Sequence, residues 1–143
     1  METFRLGITG FCWGGRITWL YSAHSKRVKA GVAWYGRLTG DTSHMTPQHP
    51  YEIAASLNGP VLGLYGGNDQ RVNATIPVAD STMRAIGGRF TSKVYEGAGH
   101  GFLRAQEQPA NLTASQQAWP ETIAFFREVL RGGAARRTPR TSE

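Results

Sequence analysis

The stretch Gly10-Phe11-Cys12-Trp13-Gly14-Gly15 holds the only cysteine of the chain. It follows the apolar run Leu6 to Thr9 and precedes a segment of helical spacing, so it predicts a sharp strand-to-helix turn. Gly-x-Cys-x-Gly is the thiol form of the Gly-x-Ser-x-Gly nucleophile elbow. Positions 10 and 14 are expected to require a small residue, here Gly10 and Gly14, because strand and helix backbones pass close together there. The helix N-terminus is expected to favour the thiolate. By itself, the motif also fits a buried cysteine in an ordinary glycine-rich loop.

An acid and an imidazole follow further along the chain. Asp69 comes just after the predicted strand Val61 to Tyr65, and His100 comes after Thr91 to Tyr95 in a glycine-rich loop. Nucleophile, acid, then histidine is the chain order of α/β-hydrolases. Because the carboxyl ends of parallel strands meet at one edge of a sheet, these side chains are expected to converge there. The sequence thus predicts a catalytic triad of Cys12, Asp69 and His100.

The order of elements predicts an α/β fold with a mainly parallel sheet of about four strands and flanking helices. The first two strands are expected at Thr3 to Thr9 and Val28 to Tyr35. Loop residues fill 37–50, and a short helix is expected over Tyr51 to Leu57. No internal repeat is found.

One longer helix is predicted directly after Cys12. A second is predicted to begin after Thr75, which can act as its N-cap. The last is predicted near the C-terminus, beginning with a capping box at Thr113 and Gln116. Pro120 in the last helix predicts a kink or a delayed start. The positions expected to be buried are Trp13, Ile17, Leu20, Tyr21 and His24 in the first helix, Ala79, Met83 and Ile86 in the second, and Trp119, Ile123, Phe126 and Leu130 in the last.

Size and charge narrow the function classes. The 143 residues suit one domain, which is predicted to span 1–131. The formal charge of +6 owes much to the arginines in 132–143, a segment predicted to be a basic, disordered tail. The rest lacks the aromatic-basic pattern of nucleic-acid binding, so no nucleic-acid partner is expected. Neither a signal peptide nor a membrane span is indicated. A single cysteine excludes an internal disulfide and fits a cytoplasmic location.

Four motifs in order, GFCWGG, LYGGND, YEGAGHGFLR and AWPETIAFF, resemble dienelactone hydrolases, the carboxymethylenebutenolidase branch of the α/β-hydrolases. The resemblance covers residues 4–131. It implies hydrolysis of small esters or lactones through a thioester acyl-enzyme, with no metal or organic cofactor. It also implies that Arg104 and Tyr35 bind substrate, while the Trp13 amide serves the oxyanion hole.

The resemblance extends only to the C-terminal part of that family, so a truncated α/β-hydrolase fold is expected. Without the N-terminal part, the sequence lacks the glutamate that assists thiolate formation, an arginine that partners Arg104, and the second oxyanion donor. Loss of one such donor typically costs about a hundredfold or more in rate. Thr3 to Thr9 would also have an open, apolar edge. We therefore expect a homodimer or higher oligomer through this edge.

Two other functions remain open on the sequence alone. One is a catalytically weak or inactive remnant that acts as a binding or assembly module, and the other is a redox-sensing thiol at Cys12. Asp80 and Glu96 are the alternative acids to Asp69. The other histidines show no metal-ligand spacing, so no metal site is expected.

Overall fold

A single parallel sheet organises the chain. The computed structural model describes residues 5–137, with side chains as far as residue 131. The strands follow each other in sequence order across the sheet and are β1 (Leu6–Phe11), β2 (Val28–Trp34), β3 (Val61–Gly66) and β4 (Phe90–Tyr95). All three pairings are parallel. The predicted α/β fold with about four mainly parallel strands is confirmed.

Helices cover both faces of this sheet. They are α1 (Trp13–His24), a 3-10 helix (Pro50–Ser56), α2 (Gln70–Asn73), α3 (Ile76–Ala85) and α4 (Pro109–Arg137). Residues of α1, α3 and the 3-10 helix form one apolar core with the sheet, and residues of α4 form the other. The short helix expected over Tyr51 to Leu57 is thus a 3-10 helix, one residue earlier.

The central strands are buried on both faces, as their apolar runs indicate. In β2, Ala33 faces the core that contains Trp19 of α1, while Val32 and Trp34 face the core that contains Ala118 of α4. Every residue of β3 is buried. The carboxyl ends of β2 and β3 therefore present a rigid edge on which loops can hold functional groups.

The edge strand β1 is more exposed. It begins later than predicted, at Leu6 instead of Thr3, and ends at Phe11, directly before the cysteine. Thr3 itself lies outside the described residues. In the described part of the chain β1 pairs with β2 alone, so its other edge is unpaired. Leu6 is 49% exposed, and Phe11 is exposed as well.

The predicted buried face of α1 is wrong. Trp13 is 59% exposed and Tyr21 is also exposed. The buried residues of α1 are Gly15, Arg16, Thr18, Trp19 and Ser22. Mostly small residues face the sheet because the helix lies close to it: a Cβ at Gly15 would be 2.6 Å from the Trp34 carbonyl oxygen. Close approach, rather than hydrophobicity, selects this face.

The prediction for α4 is wrong in part, although Phe126 packs against the core as expected. The helix begins at Pro109, so Thr113 and Gln116 do not form its N-terminus, and Pro120 lies inside it without delaying its start. From the predicted apolar stripe, Trp119 is 47% exposed and Ile123 is exposed. The buried positions are the smaller residues Asn111, Ala114, Ser115, Ala118 and Thr122. Ser115, for example, donates a 3.2 Å hydrogen bond from its Oγ to the Phe102 carbonyl oxygen.

Two local predictions, the Thr75 cap and the burial of Ile86, are also wrong. Thr75 does not cap α3 with its side chain, because its Oγ1 accepts from the Leu38 N–H at 3.0 Å and donates to the Val72 carbonyl oxygen. Ile86 follows the last turn of α3 and is exposed. The backbone of 132–137 continues α4, while 138–143 of the predicted tail lie outside the described residues. Over residues 5–137, no helix has the length and apolar character needed to cross a bilayer.

Candidate active site

Cys12 occupies the turn between β1 and α1 in an unusual backbone conformation. Its φ of 60° and ψ of −120° are costly for an L-residue, and such strain persists only where the surrounding structure imposes it. The Cys12 N–H donates to the Trp34 carbonyl oxygen at 3.0 Å, which ties the turn to β2. The residue is exposed, so its thiol is accessible.

The close contacts that define this turn differ partly from the motif's prediction. A Cβ at Gly10 would collide with the Gly14 backbone, so a small residue is required at Gly10. A Cβ at Gly14 would meet nothing within 4 Å, so the prediction for Gly14 is wrong. Gly15 takes its place, since a Cβ there would collide with the end of β2. The turn therefore depends on Gly10 and Gly15.

Asp69 and His100 are hydrogen-bonded to each other. The His100 Nδ1 lies 2.5 Å from the Asp69 Oδ2. Asp69 is buried at the N-terminus of α2, whereas His100 is partly exposed. A histidine that donates from Nδ1 to a carboxylate keeps Nε2 as its free basic nitrogen. His100 thus has Asp69, and not Asp80 or Glu96, as its carboxylate partner.

Backbone hydrogen bonds join the loops that carry this pair. The Gly67 N–H donates to the Tyr95 carbonyl oxygen at 2.8 Å, and the Asn68 N–H donates to that of Ala98 at 2.9 Å. The Asn68 side chain also donates to the Gly97 carbonyl oxygen at 3.1 Å. The loops after β3 and β4 are therefore held as one unit.

Asn111 of α4 supports the histidine loop from the other side. Its Oδ1 accepts from the Gly99 N–H at 2.9 Å, and its Nδ2 donates to the Ala105 carbonyl oxygen at 3.0 Å. The side chain is buried, so both bonds are shielded from water. Sequence reasoning missed this positioning residue, because only its place shortly after the histidine loop could have indicated it.

A cavity of about 610 Å³ connects most of the predicted site residues. Its walls include Cys12, Trp13, Tyr35, Asp69 and His100. Within the described residues, no hydrogen bond joins the Cys12 thiol to His100, and unliganded sites often have such bonds long or unformed. Trp13 is the first residue of α1, so its N–H has no partner within the helix and is free to bind an anion.

Tyr35 lies deep in the wall behind the histidine. It is buried, has a φ of 38°, and its ring packs edge-on to His100 with centroids 5.2 Å apart. Burial, with a smaller contribution from Cys12, raises the pKa of Tyr35 to about 12. Its hydroxyl is therefore protonated at neutral pH and can act as a hydrogen-bond donor.

The surroundings of Cys12 do not favour the thiolate on balance. Burial raises the pKa of the Cys12 thiol above its ordinary value, although the nearby charge of Arg104 lowers it, and the charge of Asp69 raises it further. The net shift of the Cys12 pKa is therefore opposite to the one expected from the helix N-terminus alone. Arg104 is exposed and is not among the described residues that line the cavity.

The model of the dienelactone hydrolase family matches residues 1–130. The chain belongs to this family. A Methylorubrum extorquens protein provisionally named a carboxymethylenebutenolidase is 51% identical over 128 residues, which is 89% of this chain and 44% of that protein. A Salmonella typhimurium protein with the same provisional name is 46% identical over 126 residues, 87% of this chain and 47% of that protein.

A solved dienelactone-hydrolase structure agrees with this placement. The crystal structure of a Klebsiella pneumoniae protein, provisionally named a dienelactone hydrolase, superposes with a TM-score of 0.82 at 43% identity. The match covers 89% of this chain and 53% of that one. The chain spans about half the length of the curated relatives it matches, which is consistent with the predicted resemblance to only part of that family.

Arg16 is a cavity residue that the sequence did not predict. Arg16 lies one helical turn after Cys12, and its N–H points to the Cys12 carbonyl oxygen at 3.3 Å. Its place in the first turn after the elbow was the only available signal. In the described part of the chain, no cluster of three or more acidic, histidine or cysteine residues could hold a metal ion.

Proposed function

We propose that this chain hydrolyses small esters or lactones, with Cys12 as nucleophile, His100 as general base and acid, and Asp69 as the group that orients the imidazole. The observation that carries the proposal is the Asp69–His100 hydrogen bond in the cavity that also exposes the Cys12 thiol. Nucleophile, base and orienting acid are the parts that covalent acyl transfer requires.

The protonated thiol decides how the reaction begins. Because burial keeps the Cys12 pKa high, His100 Nε2 must take the thiol proton as sulfur attacks the substrate carbonyl. The oxyanion that forms is stabilised by the free Trp13 N–H. His100 then gives the proton to the leaving alkoxide, which departs and leaves a thioester on Cys12.

Water completes the cycle. His100 removes a proton from water, the resulting hydroxide attacks the thioester carbonyl, and the Cys12 sulfur leaves and recovers the proton. Asp69 holds the ring in the tautomer that both steps need. Tyr35 and Arg104 are proposed to bind the substrate, Tyr35 from the cavity wall and Arg104 from outside it.

A second candidate function is a binding or assembly module without turnover. It is favoured by the edge of β1 that is unpaired in the described part of the chain. A redox-sensing role for Cys12 is less well supported, because a raised pKa lowers the thiolate fraction that peroxide attacks.

Hydrolysis of short p-nitrophenyl esters by the wild type and Cys12→Ala separates these candidates. We expect turnover that Cys12→Ala lowers by on the order of 10³-fold or more, to the uncatalysed rate. Mass spectrometry of acid-quenched protein should show an acyl adduct on Cys12 in the wild type. Equal rates for both proteins would refute the hydrolase and support the module.

A further inference from the structure

A second cavity opens next to the one that holds the thiol. Its volume is about 500 Å³, and Trp13 and Arg16 line both cavities, so these two residues form the wall between them. The described residues that line the second cavity include none of Cys12, Asp69 or His100. It is therefore a separate space that begins directly behind the reacting groups.

This second cavity, which we call the α1 groove, is mainly apolar. Its apolar side chains come from α1 and from the segment opposite it: Ile17, Leu20, Ala23, Met45, Pro47 and Ile53. Ile17 and Leu20 lie one and two turns after Trp13, so the three share one face of the helix. Helix α1 turns smaller residues toward the sheet, and Ile17 and Leu20 are only partly buried. The apolar face that the sequence predicts for α1 thus lines a groove instead of the core.

The groove has a fixed inner end and an adaptable rim. One Nη of Arg16 donates to the Gln48 carbonyl oxygen, which ties the rim segment to α1. The Arg16 guanidinium carbon lies 5.7 Å from the centre of the Trp13 ring, so the shared wall is held in place. On the rim, Met45 is 78% exposed. A flexible thioether at the edge of an apolar groove suits ligands of variable shape.

The stereochemistry of acyl transfer selects which part of an ester faces this groove. The carbonyl carbon lies at the Cys12 sulfur, and its oxygen lies at the Trp13 N–H. The leaving alkoxide must lie beside His100, which protonates it and which lines the first cavity. The remaining substituent of the tetrahedral carbon is the acyl chain, and the space left for it is past the Trp13 ring.

We propose that the α1 groove binds the acyl chain of the ester as a linear apolar chain that runs along α1. From Trp13 to Ala23 the helix rises by about 15 Å, and the groove volume is in the range of small-molecule sites. The proposal rests on the proposed function. It narrows the substrate to esters of apolar acids that are longer than acetate.

Labelling of Cys12 tests the groove without requiring hydrolysis. The reagents are S-methyl and S-hexyl methanethiosulfonate. In both, the Cys12 sulfur forms a disulfide with the alkylthio sulfur, methanesulfinate leaves, and the thiol proton goes to solvent. Dividing each rate by that of glutathione removes differences in intrinsic reactivity. We expect a hexyl-to-methyl ratio of about tenfold or more for the wild type, because a buried methylene favours binding by about fourfold and the groove is partly open.

Two variants and a matched control locate this preference. Leu20→Asn keeps the size of the side chain but makes the groove wall polar, and should lower the ratio by about threefold or more. Met45→Glu, at an exposed rim position that is safe for folding, should lower it as well. The control Ile86→Glu adds the same charge at an exposed apolar residue after α3, outside the groove lining, and should leave the ratio unchanged. Circular dichroism checks that each variant is folded.

Three results would overturn the proposal: a corrected ratio near one in the wild type, a preference that both folded groove variants retain, or one that Ile86→Glu lowers as much as Met45→Glu. None of them depends on turnover. A groove-dependent hexyl preference in a chain that hydrolyses no ester would refute the hydrolase function and leave an apolar binding site. Hydrolysis of p-nitrophenyl acetate and hexanoate with equal kcat/KM would support the hydrolase and refute the acyl-chain groove.

Discussion

Adding one methyl group to either of two adjacent glycines, Gly14→Ala or Gly15→Ala, should have opposite effects on stability. Both positions lie in the first turn of α1, so the gain in helix propensity is the same, about 1 kcal/mol or less. The Gly-x-Cys-x-Gly motif singles out Gly14 as the residue that must be small. The structure singles out Gly15.

The magnitude follows from the space around each position. A Cβ at Gly14 would meet nothing within 4 Å, so Gly14→Ala should be neutral or slightly stabilising. At Gly15 the Cβ would lie 2.6 Å from the Trp34 carbonyl oxygen and 3.1 Å from the Gly36 nitrogen. Both are backbone atoms, so no rotamer change relieves the overlap, and α1 must move away from β2. Overpacking of this kind costs about 1 to 3 kcal/mol.

Thermal unfolding followed by circular dichroism measures the difference. For a domain of this size, we expect Gly15→Ala to melt roughly 3 to 10 °C below Gly14→Ala. Ester hydrolysis should fall in Gly15→Ala as well, because movement of α1 shifts the Trp13 N–H relative to Cys12. A Gly15→Ala protein as stable as Gly14→Ala would refute the packing argument.

Two further predictions concern the thiol and the sheet edge. Asp69→Asn removes a charge that raises the Cys12 pKa, so iodoacetamide should alkylate Cys12 faster at pH 8. Ester hydrolysis should fall by on the order of 10³- to 10⁴-fold in the same variant. Slower alkylation would contradict this reasoning. We also propose that a second copy pairs with the free edge of β1. Light scattering should then give at least a dimer mass at micromolar concentration. Leu6→Lys should lower this mass, whereas the control Val94→Lys, at an exposed site on β4, should leave it unchanged. A monomer mass for the wild type would exclude this assembly.

Much of the fold could be predicted because its signals are local. The apolar runs of β2 and β3 are continuous, so they mark strands buried on both faces wherever those strands lie in the sheet. The elbow at Cys12 is encoded in adjacent residues. The chain order of Cys12, Asp69 and His100 then restricted the architecture to one family of sheets.

Helix faces were predicted less well, because hydrophobicity was the wrong guide to burial. Helix α1 lies so close to the sheet that Gly15 must face it, and Ala118 of α4 is buried, while Trp13 and Trp119 are exposed. No periodicity analysis weighs a backbone contact that arises only after the helix has docked.

Sequence alone determined which groups are available for chemistry: one thiol, an acid and a histidine, each at the end of a strand. Tertiary structure decided how they are related, through the backbone bonds that join the loops after β3 and β4 and place Asp69 against His100. It also decided that burial raises the pKa of Cys12 and that Arg16, which lines the same cavity, has a buried nitrogen without a partner. These properties depend on burial and on contacts between distant segments, and burial is a property of the folded chain as a whole.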